Sequence, residues 1–260
     1  YIDVRYSFAS LTPANISVIT REKLLNYYLD KLAENANMHD KVEFEILHTC
    51  YDLTTEDKVK DLNILNKDEK DEFISALKEL TNNILVNYKA DMESDYKLIS
   101  EMEVQYKNII KLYKNSKNYW ECFQAAHLLF KMTKKLGAYP FARIARISFI
   151  AHSILNSLVE NKILSKKERL NFLSSIETAA SSFYDSISLH EKNKFNQEND
   201  IFLEKYGHLR MNTYDITATR YDQMPSDFWN NSRKKSKQAF TNYELKEKDQ
   251  IIISEILKKR

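Results

Sequence analysis

Apolar and polar residues alternate in two short segments of the chain, and each alternation predicts a β-strand. Every second residue from position 2 to position 8 is apolar, and the same holds for positions 42, 44 and 46 within residues 41–48. A period of two is typical of a strand that is buried on one side. Between the two segments, Leu24, Leu25 and Leu32 recur at helical spacing. We therefore expect a strand–helix–strand element over residues 1–52, with a small two-stranded β element formed by residues 2–8 and 41–48.

Beyond residue 57 a helical period replaces the alternation and predicts a helical body over residues 57–190. Asn66 and Ser165 are each followed three residues later by a glutamate, Glu69 and Glu168, a spacing that matches the capping box at the start of many helices. A further helix over residues 118–136 is expected to end at Gly137, because glycine is a common helix stop. A charged helix is predicted over residues 242–260. The fold class expected from these patterns is mainly α, a helical domain with a small two-stranded β element.

The composition is that of a soluble globular protein, and the scarcity of glycine excludes several kinds of nucleotide site. The 260 residues are 43% hydrophobic and 29% charged, and only two are glycine. Phosphate-binding loops and dinucleotide fingerprints need several glycines, so that backbone N–H groups can approach the phosphates. Because Tyr1 stands within the first alternating pattern, we expect the chain to be an excised piece of a longer protein.

Charge and cysteine content limit the partners and the compartment that we expect. The formal net charge is only +2, which argues against a dedicated nucleic-acid-binding protein. No apolar run reaches the roughly 18–20 residues of a membrane span, so we expect no membrane partner. Cys50 and Cys122 are isolated, which is typical of a reducing, cytoplasmic location, and no zinc-binding pattern accompanies them.

Candidate chemistry concentrates in residues 201–223, which have neither a helical nor a strand period. His208 and Arg210 lie here, and a guanidinium suits a carboxylate or a phosphate while an imidazole can donate or accept a proton. The alternative is an ordered loop whose polar side chains satisfy one another. Arg146 shares an otherwise apolar helix face with Arg143. Such a pair needs an anion, which could be a ligand or, in an internal salt bridge, a carboxylate of the protein.

Glu43 and Arg5 lie on the two predicted strands. They could serve a binding site, or they could form a cross-strand ion pair without further function.

Four ordered stretches of the chain resemble one group of enzymes. The run YGHLRMNTYDI at 206–216, with flanking matches from 202 to 222, resembles a signature close to YGHLRPGTYDI. Here Met211 and Asn212 replace the usual Pro-Gly. The other matching stretches are 3–8, 39–46 and 140–151. The group consists of bacterial proteins similar to phosphoenolpyruvate synthase that are found with genes for surface polysaccharides, and it includes an L-glutamine kinase of capsular phosphoramidate biosynthesis.

The resemblance implies that residues 1–260 are the acceptor-binding middle domain of a kinase that relays phosphate through a histidine. In such enzymes an ATP-grasp-like domain phosphorylates a mobile histidine domain, with ATP converted to AMP and phosphate. The histidine domain then carries the phosphoryl group to the acceptor. ATP and Mg²⁺ are therefore expected outside this chain, and no cofactor or metal is expected within it. The implied acceptor is the side-chain amide of L-glutamine, and the same architecture also accommodates a sugar, another amino acid or pyruvate. A non-catalytic helical scaffold is the second alternative.

Site roles follow from the same resemblance. His208 is expected to orient or deprotonate the amide, and Arg210 or Arg146 to hold the carboxylate or the arriving phosphoryl group. His208 and Arg210 are the expected catalytic residues. The residues expected to bind the acceptor are Arg5, Glu43, Arg146, Tyr214 and Asp215.

Overall fold

The computed structural model describes residues 3–176, 178, 182–183, 186, 201–210, 217–225 and 246–259. Over these residues the protein is mainly helical, with 77% of residues in helices and no strand. The mainly α class is therefore confirmed. The chain divides into two compact units, residues 1–163 and residues 164–260.

Nine α-helices are found among the described residues. They are α1 (Val4–Leu11), α2 (Val18–Glu34), α3 (Thr55–Lys60), α4 (Lys67–Tyr113), α5 (Tyr119–Met132), α6 (Tyr139–Glu160), α7 (Lys166–Ser175), α8 (Ile201–Tyr206) and α9 (Glu247–Lys259).

The first predicted strand is a helix, so the two-stranded prediction is wrong. The side chain of Asp3 caps α1 by accepting a hydrogen bond from the backbone N–H of Tyr6 at 3.0 Å. Val4 and Phe8 are four residues apart, and that spacing places them on one helical face as readily as on one side of a strand. Phe8 enters the core with 2% of its surface exposed, while Tyr6, which the alternation placed on the same side, is exposed.

The second predicted strand is a single turn of π-helix, Val42–Ile46. The backbone N–H of Leu47 donates to the carbonyl of Val42 at 2.9 Å, a spacing of five residues. Ile46 is buried, and the ammonium group of Lys31 donates to the carbonyls of Glu45 and Ile46 at 2.6 and 3.4 Å. Carbonyl groups that an ordinary helix end would leave unpaired are thus satisfied by a lysine of α2.

A hydrophobic core joins α1, α2, the π-turn, α3 and the first part of α4. Phe8 packs edge-on against Tyr28, with 6.5 Å between ring centroids. The carboxylate of Glu72 accepts hydrogen bonds from the Ser17 backbone at 2.7 Å and from the Thr20 hydroxyl at 2.6 Å. These bonds fix the start of α2 against α4. The largest fully buried side chains of this core are those of Phe8, Leu24, Tyr28, Ile46, Val59, Phe73 and Leu77.

The longest helix, α4, has 47 residues and begins at the capping box that the sequence predicts. Both reciprocal bonds are formed, from the Glu69 N–H to Asn66 Oδ1 and from the Asn66 N–H to Glu69 Oε2, at 2.9 and 2.8 Å. At 1.5 Å per residue the helix is about 70 Å long. Its first third lies in the core, and its second half packs against α5 and α6.

Gly137 does not end a helix, and that prediction is wrong. Residues Thr133–Ala138 form a π-helical segment that joins α5 directly to α6. Gly137 lies against α4, where an added Cβ would stand 3.1 Å from the sulfur of Met102. The glycine therefore serves close helix packing, and Pro140 occupies the first turn of α6, where its missing N–H costs no hydrogen bond.

The second unit begins with α7, whose predicted capping box is also formed. Glu168 bonds back to the Ser165 N–H at 2.9 Å, and Lys246 lies 3.4 Å from the same carboxylate. The predicted continuation of helix toward residue 190 falls largely outside the described residues. The predicted C-terminal helix is described over α9.

None of the described helices combines the length and the apolar character that a membrane crossing requires.

Candidate functional site

A polar cavity of about 500 Å³ lies in the first unit, between α2, the π-turn, α3 and α6. Its wall includes both signs of charge, two imidazoles and a thiol. The charged lining residues are Lys31, Glu43, Glu45, Asp52, Lys58, Asp61 and Glu160, and the other polar ones include His48, Cys50, His152, Ser153 and Asn156. Such a lining offers hydrogen bonds and charge partners to a small polar molecule.

Two lysines supply the positive charge of the cavity. Burial lowers the pKa of Lys31, against the opposing effect of Glu45 and with a further lowering from the positive charge of Lys58. Lys31 is held by the π-turn carbonyls described above. Lys58 forms a 3.2 Å salt bridge with Glu160, and both side chains are about half exposed. An exposed pair of this kind contributes little to stability, so Lys58 can exchange its partner at small cost.

His48 lies at the inner wall between aromatic rings. Its Nδ1 is 3.2 Å from the hydroxyl of Tyr28, and its ring centroid is 6.1 Å from that of Phe73. Burial, together with the positive charges of Lys31 and Lys58, lowers the pKa of His48 to about 4, against the opposing effect of Asp52. The imidazole is therefore neutral near pH 7. The sequence pattern did not single out His48, because its place on the wall depends on the packing of α2 against α4.

Cys50 and Arg146 adjoin one another at the α6 side of the cavity. Burial raises the pKa of the Cys50 thiol, while a hydrogen bond with the Ser153 side chain lowers it. Arg146 donates through Nη2 to the carbonyl of Ser10 at 2.6 Å. Its Nη1 is buried and has no hydrogen-bond partner among the described residues. One donor of this guanidinium thus remains available for an acceptor group.

Two of the stretches that carry the family resemblance meet at this cavity. Phe44, from residues 39–46, packs edge-on against Phe149, from residues 140–151, with 5.4 Å between ring centroids. The ring of Phe44 also lies 4.4 Å from that of His152. Residues about 100 positions apart in the sequence therefore form one wall.

The structure separates the other expected residues of the first unit. Glu43 is half-buried on the cavity wall. Arg5 is exposed on α1 and donates to the side chain of Asn26. The cross-strand pairing of Arg5 with Glu43 is wrong, because both segments are helical. Arg143, the neighbour of Arg146, forms the internal salt bridges that the sequence left open.

Those salt bridges tie α6 to α4. Arg143 pairs with Asp95 and, at 2.9 Å, with Asp91. Asp95 is 1% exposed, so the guanidinium neutralises a carboxylate that would otherwise be buried alone.

In the second unit, the described part of the signature segment, residues 206–210, folds into a tight turn after α8. Gly207 donates its N–H to the carbonyl of Leu203 at 2.9 Å, and Tyr221 donates to the carbonyl of Leu209 at 2.9 Å. An added Cβ at Gly207 would stand 2.3 Å from the Leu203 oxygen, so only glycine fits. Asp222 donates its N–H to the carbonyl of Gly207 at 3.1 Å and pairs with Arg220.

An aromatic cluster supports this turn. The ring of Phe202 lies 5.5 Å from Tyr206 and 5.8 Å from Tyr221, between centroids. Phe183 packs on all three rings, at 5.1–5.6 Å. Several residues of the resembling stretch therefore have a structural role.

The two expected catalytic residues lie in this turn. His208 is exposed, and Arg210 is half-buried and forms an isolated antiparallel bridge with Arg220. Tyr214 and Asp215 lie outside the described residues. The expected site residues are thus distributed over both units, with Arg5, Glu43 and Arg146 in the first and His208 and Arg210 in the second.

Within the described parts of the chain, no group of three His, Cys, Asp or Glu side chains is placed to hold a metal ion. Comparisons with models of protein families, with curated proteins and with solved structures find no match to this chain.

Proposed function

We propose that this chain is the acceptor-binding part of a phosphotransferase that receives a phosphoryl group from a histidine on another domain, with L-glutamine as the favoured acceptor. The observation that carries the proposal is the polar cavity at the meeting point of two stretches that resemble the same enzyme group. Its volume of about 500 Å³ falls in the roughly 300–1,000 Å³ range of small-molecule sites.

The charges around the cavity suit a zwitterionic amino acid. The α-carboxylate is assigned to Lys58, which lines the cavity and can leave its exposed partner Glu160. The α-ammonium group is assigned to Glu43, whose carboxylate lines the cavity and carries the opposite charge. The neutral His48 imidazole is assigned a hydrogen bond to the uncharged side-chain amide, because a charged imidazole would favour a carboxylate instead.

The proposed chemistry exchanges one phosphorus–nitrogen bond for another. The bond between phosphorus and the donor histidine breaks, a bond from phosphorus to the glutamine amide nitrogen forms, and the amide loses a proton to a base. His208 and Arg210, which lie in the second unit, are proposed to contact the donor domain and its phosphoryl group. Positioning and charge stabilisation are the main contributions of a protein to phosphoryl transfer. The exposure of His208 is consistent with a partner domain reaching this turn.

Titration calorimetry of the chain with L-glutamine tests the binding step. L-glutamate, L-asparagine, pyruvate and a neutral sugar serve as competing ligands. Selective binding of L-glutamine would support the assignment, and selective binding of another ligand would give the same architecture a different acceptor. Binding of none of them would favour a scaffold.

Matched variants test whether the ligand binds in the cavity or elsewhere in the first unit. Glu43→Gln is expected to weaken glutamine binding by about tenfold or more, because an ammonium group loses its carboxylate partner. Glu22→Gln, an equivalent change at an exposed position of α2, is expected to leave binding unchanged. Equal affinities for the two variants would place the ligand elsewhere. In the intact enzyme, His208→Ala should abolish phosphoglutamine formation without changing the affinity for glutamine.

A further inference from the structure

Helix α5 is apolar on two opposite faces, and the described residues cover only one of them. On the inner face Ala125 and Met132 are buried against α4. On the outer face Tyr119 is 93% exposed, Trp120 69%, and Phe130 70%. A helix that is apolar on both sides is normally enclosed on both.

The outer residues form one continuous stripe, which we term the aromatic face. Helical spacing places its members within an arc of about 100°. They are Tyr119, Trp120, Phe123, His127 and Phe130. Phe141, at the start of α6, is also exposed, at 72%. Contiguous exposed apolar surface of this kind marks an interaction site rather than ordinary surface variation.

The aromatic face stands in a strongly basic part of the chain. Residues 104–142 contain seven lysines and a single carboxylate, Glu121, so their formal charge is +6. Because the whole chain is only +2, the remaining residues carry −4. Lys117 precedes the exposed rings, and Lys131 and Lys134 stand at their far end, where Glu101 of α4 lines the same groove as Lys131. All three of these lysines are exposed.

We infer that this surface binds an anionic phospholipid membrane from one side. Rings and aliphatic side chains among lysines suit the boundary between acyl chains and negatively charged headgroups. Leu112, the second-last residue of α4, is 75% exposed and adds an aliphatic side chain to the exposed apolar surface. The sequence predicts no membrane partner because no apolar run reaches spanning length, but a one-sided contact needs no spanning helix.

The ring geometry favours a lipid surface over single-stranded nucleic acid. Trp120 stacks on Phe123 with 5.6 Å between centroids and 26° between planes, and Phe123 is within 10° of parallel to His127 at 6.5 Å. Bases bind by stacking on free ring faces. These rings turn part of their faces toward one another, which leaves less free ring face for bases to stack on.

Flotation with lipid vesicles tests the inference. One set of vesicles consists of phosphatidylcholine, and the other is an equimolar mixture of phosphatidylcholine and phosphatidylserine. The chain is expected to float with the anionic vesicles at about 0.1 M salt and to dissociate largely at about 1 M. The reason is that this rise in salt shortens the Debye screening length from about 10 to about 3 Å. In a Trp229→Phe background, which leaves Trp120 as the single tryptophan, emission should shift to the blue on binding.

Variants separate the apolar and the charged contributions. Trp120→Ala is expected to weaken binding by about tenfold or more, and Lys131→Gln with Lys134→Gln by about 25-fold. Tyr6→Ala and Lys67→Gln, at exposed sites outside this surface, should have no effect.

Four outcomes would overturn the inference. They are no flotation with anionic vesicles, equal binding by the Trp120 and Tyr6 variants, tighter binding to single-stranded RNA than to vesicles, and self-association of the chain through the aromatic face.

Discussion

Replacement of Gly207 by alanine is expected to open the signature turn of the second unit. The added Cβ would stand 2.3 Å from the carbonyl oxygen of Leu203 and 3.1 Å from the Cβ of Asp222. The oxygen belongs to the backbone of α8 and cannot rotate away as a side chain can. Forced overpacking costs roughly 1–3 kcal/mol, and the hydrogen bond from residue 207 to Leu203 is also disturbed. We therefore expect a local loss of about 2 kcal/mol.

Amide hydrogen exchange is the appropriate assay, because the chain has two units and the effect is confined to one. The amides of Leu209, Tyr221 and Asp222 are bonded across the turn. A loss of about 2 kcal/mol corresponds to exchange that is roughly thirtyfold faster at these positions. Amides in the core of the first unit, such as that of Leu77, should exchange at the wild-type rate.

Gly137→Ala provides the matched control, since the chain contains only two glycines. Here the nearest atom to an added Cβ is the sulfur of Met102 at 3.1 Å, on a flexible side chain that can move by a few tenths of an ångström. Alanine also gains roughly 0.5–1 kcal/mol over glycine within a helix. Gly137→Ala should therefore be neutral or stabilising. Unchanged exchange in the Gly207 variant, or equal destabilisation by both changes, would refute the reasoning.

Two further predictions concern the first unit. Because the folded-state pKa of His48 is about 4 and that of an exposed imidazole is about 6.5, the unfolded chain takes up the proton first. The neutral imidazole therefore contributes up to about 3 kcal/mol to the free energy of unfolding, and this contribution is fully present above pH ~6.5 and is lost as the pH falls through ~4. Urea unfolding at several pH values measures this dependence, which His48→Gln should flatten. Arg143→Met should lower the free energy of unfolding by about 3 kcal/mol, because Asp95 then remains buried without its cation. Adding Asp95→Asn should recover much of the lost stability. A free energy of unfolding for Arg143→Met within about 0.5 kcal/mol of the wild-type value would contradict the assigned pairing.

Local signals in the sequence identified helix starts well. The capping boxes at Asn66 and Ser165 depend on residues three positions apart, and both are formed. The helix expected to carry Arg143 and Arg146 on an apolar face is seen as α6. Such features need no knowledge of distant parts of the chain.

The strand predictions failed because short patterns are ambiguous. Residues at i and i+4 lie on one side of a strand and also on one face of a helix, so Val4 and Phe8 satisfy both. The N-terminal cap that Asp3 forms favours the helix. Gly137 was misjudged for a related reason, since its role is set by Met102 of a helix that lies more than thirty residues earlier in the sequence.

The candidate site was predictable only in part. Glu43 and Arg146 were expected from the sequence, and both lie at or beside the cavity. Lys31, His48 and Lys58 were not, because each reaches the cavity from a different element, and the sequence contains no local mark of that convergence. Side chains that meet only through tertiary packing leave no periodic signal.

The length of α4 isolates the two ends of the first unit from one another. From Leu77 in the core to Tyr113 at the far end, the helix rises by about 50 Å. That distance is several times the screening length at physiological salt, and substitutions so far apart without shared partners usually combine additively. Selection can therefore alter the surface around the aromatic face without disturbing the cavity, so that what the unit attaches to and what it binds can evolve separately.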